Sequence, residues 1–279
     1  MRLSLLYIIS LIFFFGCVDE NLHVGDGYRL FITLQDSDGV AIVSSDNLAL
    51  LDNIDIDLSM ENMGMPETPH DVAIDNTNGY WFASTIMEGY IGMYGLEDNE
   101  LIDSYLVGDQ PALLAVDETN QKLYVSRMMP MSMGDDMDMG STTNIIHELS
   151  YGAEGLEPSN EFNLQFPSPH AIAFDNVYGN IYTASNTNDF LAKINPNVSD
   201  GDPDYKSLDP EISNNPEIPV NRLKPLQISV HPLYLFVSCT GGAWSDSDGQ
   251  EEFIPGQVQM RDLDDMSLIK IFEFDTYSH

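Results

Sequence analysis

"PHDVAID", residues 69–75, closes on an aspartate, is followed by "NTNG", and gives way to a second apolar run, "YWFAST", at 80–85. The same order returns as "PALLAVD" at 111–117, "PHAIAFD" at 169–175 and "PLQISVH" at 225–231. Each copy reads Pro, two variable positions, an aliphatic, a small residue, an apolar residue, then Asp or His. An aromatic follows in a second apolar run: Phe82, Tyr124 and Tyr182 lie thirteen residues after their prolines, and Phe236 eleven after. An earlier "LFITL" carries Phe31 in the same role. Between the paired runs sit "NTNG", "ETNQ" and "NVYG", rich in residues that tolerate left-handed backbone and close tight hairpins.

Short antiparallel strands joined by turns follow from this pattern. The aromatic-to-aromatic spacings are 51, 42, 58 and 54 residues, enough for four strands of five or six residues with their turns. The intervening stretches supply the other strands: "GYIGMYGL" and "ELIDSYLVG", "TNIIHELS" and "EFNLQF", "GQVQMRDL" and "SLIKIFEFD". Sheet units recurring at such a period predict an all-β β-propeller with one four-stranded antiparallel blade per repeat.

These residues resemble the YVTN/YncE-like propellers and, more distantly, the lactonase, cytochrome d1 and nitrous-oxide-reductase propellers. The resemblance covers roughly residues 28–279 and speaks to fold, not activity, since one fold hosts many functions. It implies a full ring of about seven blades. The sequence supplies about five: Tyr28 to Leu58 reads as the second, third and fourth strands of a blade lacking its first, and four complete units follow. The expectation is therefore an incomplete propeller, truncated at the C-terminus. The alternative is a five-bladed ring with its last gap unpaired.

Residues 1–17 read as a lipoprotein signal. Arg2 precedes an apolar run from Leu3 to Phe15, and thirteen such residues fall short of the roughly 20 that span a bilayer. "FFFGC" resembles a bacterial lipobox, which would make Cys17 the lipidated first residue of the mature chain, although Phe14 and Phe15 depart from the usual pattern. "CVDEN" resembles the acidic tag that some bacteria use to send lipoproteins to the cell surface. Residues 18–27 then form an acidic linker and 28–279 the propeller. The expected location is the cell envelope, with membrane contact through the lipid anchor only. Cys239 is the one other cysteine, so with Cys17 acylated no intramolecular disulfide is available.

The chain holds 45 acidic and 10 basic residues, a formal charge of −35. Such a surface repels phosphate backbones and excludes nucleic acid as a partner. Apolar residues at 43%, arranged in strands, argue against disorder.

Two methionine clusters stand out. "MMPMSMGDDMDMG" at 128–140 carries Met128, Met129, Met131, Met133, Met137 and Met139 beside Asp135, Asp136 and Asp138. "MENMGMPETPH" at 60–70 carries Met60, Met63, Met65 and His70. The first falls between second and third strands of a blade and the second leads into a first strand, so strand alternation puts both on one face. His70 and His170 share a repeat position and are expected at the rim of the central channel on that face. Thioethers suit Cu(I), and imidazole suits copper in either state, so this face is a candidate copper site. Equally, methionine-rich loops serve as adaptable contacts for a protein or small ligand, or are solvated without a specific role.

Other motifs carry less. "SDSDGQEE" at 245–252 places Asp246 and Asp248 in a loop reminiscent of a calcium site, but the EF-hand spacing is not met. His147 sits in an apolar third strand, where packing is expected, and His231 replaces the repeat's Asp as a turn residue. Cys239 reads as a buried filler. Asp71 and Asn186 alone do not make a lactonase-like metal site. No nucleophile elbow, H-E-x-x-H, phosphate loop or haem motif occurs. The expectation is an exported binding or scaffold module without chemistry of its own. Alternatives are a copper-handling protein and a fragment of a propeller enzyme, a metal-dependent hydrolase or an oxidoreductase.

Overall fold

The chain folds as a series of twisted antiparallel sheets set side by side, seen in a computed structural model that describes residues 27–58, 66–108, 110–127, 144–198, 202–218, 220–246 and 249–274. The first sheet has three strands: β1 Arg29–Leu34, β2 Gly39–Ser44 and β3 Leu50–Asp55, with a 3-10 turn at Gln35–Ser37 between β1 and β2. The second holds β4 Pro69–Asp75, β5 Tyr80–Thr85, β6 Tyr90–Gly95 and β7 Leu101–Leu106. The third holds β8 Pro111–Asp117, β9 Lys122–Arg127, β10 Ile145–Gly152 and β11 Gly155–Asn163. The fourth holds β12 Pro169–Asp175, β13 Asn180–Ser185, β14 Phe190–Ile194 and β15 Asp204–Ser207. In the fifth, β16 Pro225–His231 and β17 Tyr234–Cys239 are separated in sequence from β20 Gly256–Asp262 and β21 Leu268–Phe274 by a two-stranded hairpin, β18 Gly242–Ser245 and β19 Glu251–Ile254.

These are propeller blades, and the repeat residues explain why each one forms. The small residue of the repeat lies directly across from the aromatic: Ala73 pairs with Phe82, Ala115 with Tyr124, Ala173 with Tyr182 and Ser229 with Phe236. A large ring beside a methyl or hydroxymethyl fills the sheet surface without crowding. The terminal aspartate closes the turn. Asp75 accepts from the Asn78 amide, Asp117 from Thr119 and Asn120, and Asp175 from Val177 and Tyr178. These carboxylates are buried, and the turn amides satisfy them. In the fifth blade His231 takes this position and instead stacks on Tyr234.

Four apolar cores lie between neighbouring sheets. Each is built partly from a second-strand aromatic and a third-strand aliphatic of the preceding blade: Phe31 with Val40, Phe82 with Ile91, Tyr124 with Ile146, and Tyr182 with Leu191. Burial of these side chains, at roughly 25 cal/mol per Å² of apolar surface, is the main force joining blades. Cys239 is fully buried in the last core and its thiol is pushed well above the usual range, first by that burial and then by Asp189. It is inert packing material.

Two details depart from the sequence reading. The fourth strand of the third blade was expected at "EFNLQF", 161–166, but β11 runs from Gly155 to Asn163, since a tight turn at 153–154 lets pairing with β10 begin at once. The β18–β19 hairpin was not foreseen, although Asp246 lies between its two strands, in the loop expected there. There the Asp246 carboxylate accepts the Gln250 amide. Helix is limited to the 3-10 turn among the described residues. No helix among them is long and apolar enough to cross a membrane.

Candidate functional site

Each first strand begins with the same backbone device. The residue before the repeat proline is left-handed in all four copies: Thr68, Gln110, Ser168 and Lys224 have φ of 51°, 55°, 50° and 54°. Just after the proline the pairing slips: His70, His170 and Leu226 are the extra residues of β-bulges, and in the third blade the slip spans Ala112 and Leu113. A bulge bends its strand and re-aims a side chain. The second position is held by His70, Ala112, His170 and Leu226.

The two histidines, a hundred residues apart in sequence and on non-adjacent blades, are brought edge to face with ring centroids 5.8 Å apart. Strands β4, β8, β12 and β16 follow one another along the inner side of the stack, with β1 beside β4. The pair therefore sits beside the succession of inner strands. His70 Nδ1 meets the Gln35 side-chain amide at the 3-10 turn of the first blade, and the His70 carbonyl accepts from Thr33. His170 Nδ1 donates to the Leu226 carbonyl of the fifth blade at 3.1 Å, which leaves Nε2 with its lone pair. Two blades besides their own, the first and the fifth, thus hold the pair. Gln35 was not foreseen; its only signal was a position in the turn after "LFITL".

Both imidazoles are neutral at pH 7. Burial lowers His70, and burial followed by the neighbouring His70 brings His170 down to about 4. Neutral imidazole is the metal-binding form. Asp71, next in the strand, accepts the Leu114 amide from the next blade at 2.8 Å, and its burial pushes the carboxyl up to about 6. The Asn186 backbone N–H donates to the Ser168 carbonyl, at the start of the fourth blade rather than beside Asp71 of the second.

The ends flanking both methionine clusters share this face. Arg127, the last residue before the longer cluster, pairs with Pro111 at the start of β8, and Thr68, which leads into β4, contacts the β5–β6 turn at Ile86 and Met87. Met60, Met63, Met65, Met128, Met129, Met131, Met133, Met137 and Met139 lie outside the described residues, as do Cys17 and Asp248. Among the described residues no group of three or more His, Cys, Asp or Glu side chains is placed to hold a metal ion.

His147 is not simply packed. The Arg127 guanidinium meets its Nε2 and its Nδ1 lies 3.3 Å from Glu161. Sequence reasoning passed over both partners.

No protein-family profile and no curated protein matches the sequence. Solved structures do match the fold. Kuenenia stuttgartiensis hydrazine synthase aligns with a TM-score of 0.62 at 12% identity over 90% of this chain and 65% of that one. The structure of U3-55K aligns with a TM-score of 0.61 at 8% identity, over 89% of this chain and 64% of that one. Both contain β-propellers, and this chain spans just under two thirds of their length. Similarity at these identities shows the propeller fold alone.

Proposed function

We propose that this chain is a non-catalytic binding module of the YVTN/YncE-like kind, exported and anchored through a lipidated Cys17, that engages its ligand on the face where His70 and His170 meet. One observation carries the reading: bulges in two separate blades deliver two neutral imidazoles to within 5.8 Å of each other, at the end of the sheets from which both methionine-rich segments depart.

Copper is the second reading, and the same pair favours it. Neutral imidazole is a ligand that copper accepts, and thioethers from 60–65 and 128–139 would complete or shield the site. A Cu(I) titration under reducing conditions separates the two. Stoichiometric binding, weakened at least tenfold both by H70Q/H170Q and by replacing the six methionines of 128–139 with serine, supports copper. Full-length protein that takes up no Cu(I) removes copper and leaves a protein or small-molecule ligand. Loss of that ligand on H70Q/H170Q would then support the binding-module reading, and its retention would overturn it. The anchor is tested separately: C17S should abolish incorporation of labelled fatty acid.

A further inference from the structure

The outer strands of the second and third blades part to leave a cleft of about 560 Å³. It is bounded at both ends. At one end the Asp103 carboxylate accepts the Leu156 amide at 2.8 Å, tying β7 to β11. At the other the Arg127 guanidinium reaches back to the Gly108 carbonyl, just past β7. Between these ties Tyr105 and Val107 face Glu161 and Asn163, with His147 in the floor. The neighbouring junction between the third and fourth blades is filled at its outer side by aromatic contacts, Phe166 against Tyr205 and Tyr124 against Phe162. The cleft replaces that filling with polar side chains.

The floor is ordered from behind. Arg127, fully buried, donates to His147 Nε2, so His147 carries its proton on Nδ1 and directs it at Glu161. Burial, then the Arg127 charge, lowers His147 to about 4, so the ring stays neutral across the physiological range. With Arg127 at +1, Glu161 at −1 and the imidazole neutral, the group has no net charge. What remains for a ligand is the half-buried Tyr105 ring, a carboxylate held from one side and the primary amide of Asn163.

We propose that this cleft binds a neutral saccharide, with Tyr105 as the platform for a pyranose face and Glu161 and Asn163 as hydrogen-bond partners of its hydroxyls. A carboxylate and an amide each offer two polar atoms in a plane, matching adjacent hydroxyls, and the aromatic ring covers the apolar C–H face of a sugar. The cleft volume lies in the range of small-molecule sites. The −35 charge of the chain disfavours anionic glycans. The proposal does not depend on the histidine-pair face.

Two-dimensional NMR of the intact chain titrated with neutral mono- and disaccharides, alongside sialylated and amino-sugar probes, tests it. At least one neutral sugar should shift the amides of 105–107 and 158–163. E161Q and Y105A should each weaken that binding at least tenfold, while S104A, a neighbour on β7 outside the cleft, should not. Thermal melts of E161Q within 2 °C or so of the parent would show that the fold is kept. No shift with any neutral sugar at 50 mM or so, equal binding in E161Q and Y105A, or a preference for charged sugars would overturn the proposal.

Discussion

At the scale of the residue, His170 shows how burial sets chemistry. It is almost fully enclosed, its Nδ1–H is spent on Leu226, and its pKa falls to about 4. A group whose folded pKa lies below its unfolded value of about 6.5 stabilises the fold above that value, and the benefit is lost as pH falls through the folded pKa. The difference in unfolding free energy between the parent and H170Q should therefore shrink between pH 6.5 and 4, by about 3 kcal/mol for a shift of this size. Urea titrations at several pH values check it. A difference independent of pH would mean that the ring is not buried neutral.

At the scale of the element, the left-handed residue before each repeat proline is a recurring strain, and each turn of the fold accepts it. Among non-glycine residues this conformation costs roughly 1–2 kcal/mol, and β-branched residues tolerate it least. Gln110→Gly should be neutral within about 0.5 kcal/mol, whereas Gln110→Val should destabilise by about 1–2 kcal/mol, read from urea midpoints. The strand pairs were legible in the sequence because their causes are local: the Asp turn, the small residue opposite an aromatic, the Asn and Gly of the hairpins. The start of β11 and the β18–β19 hairpin were not, because "GLEPSN" and "EEFI" lack a regular apolar alternation and are ordered by pairing with a neighbour. Nor was the bulge, which rests on register, so the shared repeat position of His70 and His170 gave an expectation of one rim but no sign that the rings meet. The Arg127–His147–Glu161 chain links three strands, and each residue alone reads as ordinary.

At the scale of the whole molecule, stability is distributed among four inter-blade cores. The forward face of the fifth blade carries Phe236 and Val258, the positional equivalents of Tyr182 and Leu191, yet here they are only half-buried, and Phe272 on the outer strand is 39% exposed. Phe82, by contrast, is wholly enclosed. Phe82→Ala should cost about 3–5 kcal/mol and Phe272→Ala less than about 1 kcal/mol in chemical unfolding. Similar costs at the two sites would show that the fifth blade is covered in solution. The charge of −35 acts on the same scale, so added sodium chloride should raise the melting temperature by screening self-repulsion.

The convergence of the two bulged histidines on one face underlies the functional reading, and six histidines in the chain make it directly measurable. In protein labelled only at histidine ring protons, a NOESY spectrum should contain a cross-peak between the rings of His70 and His170, absent from H70Q. Both rings assigned in the spectrum with no cross-peak between them would contradict the account.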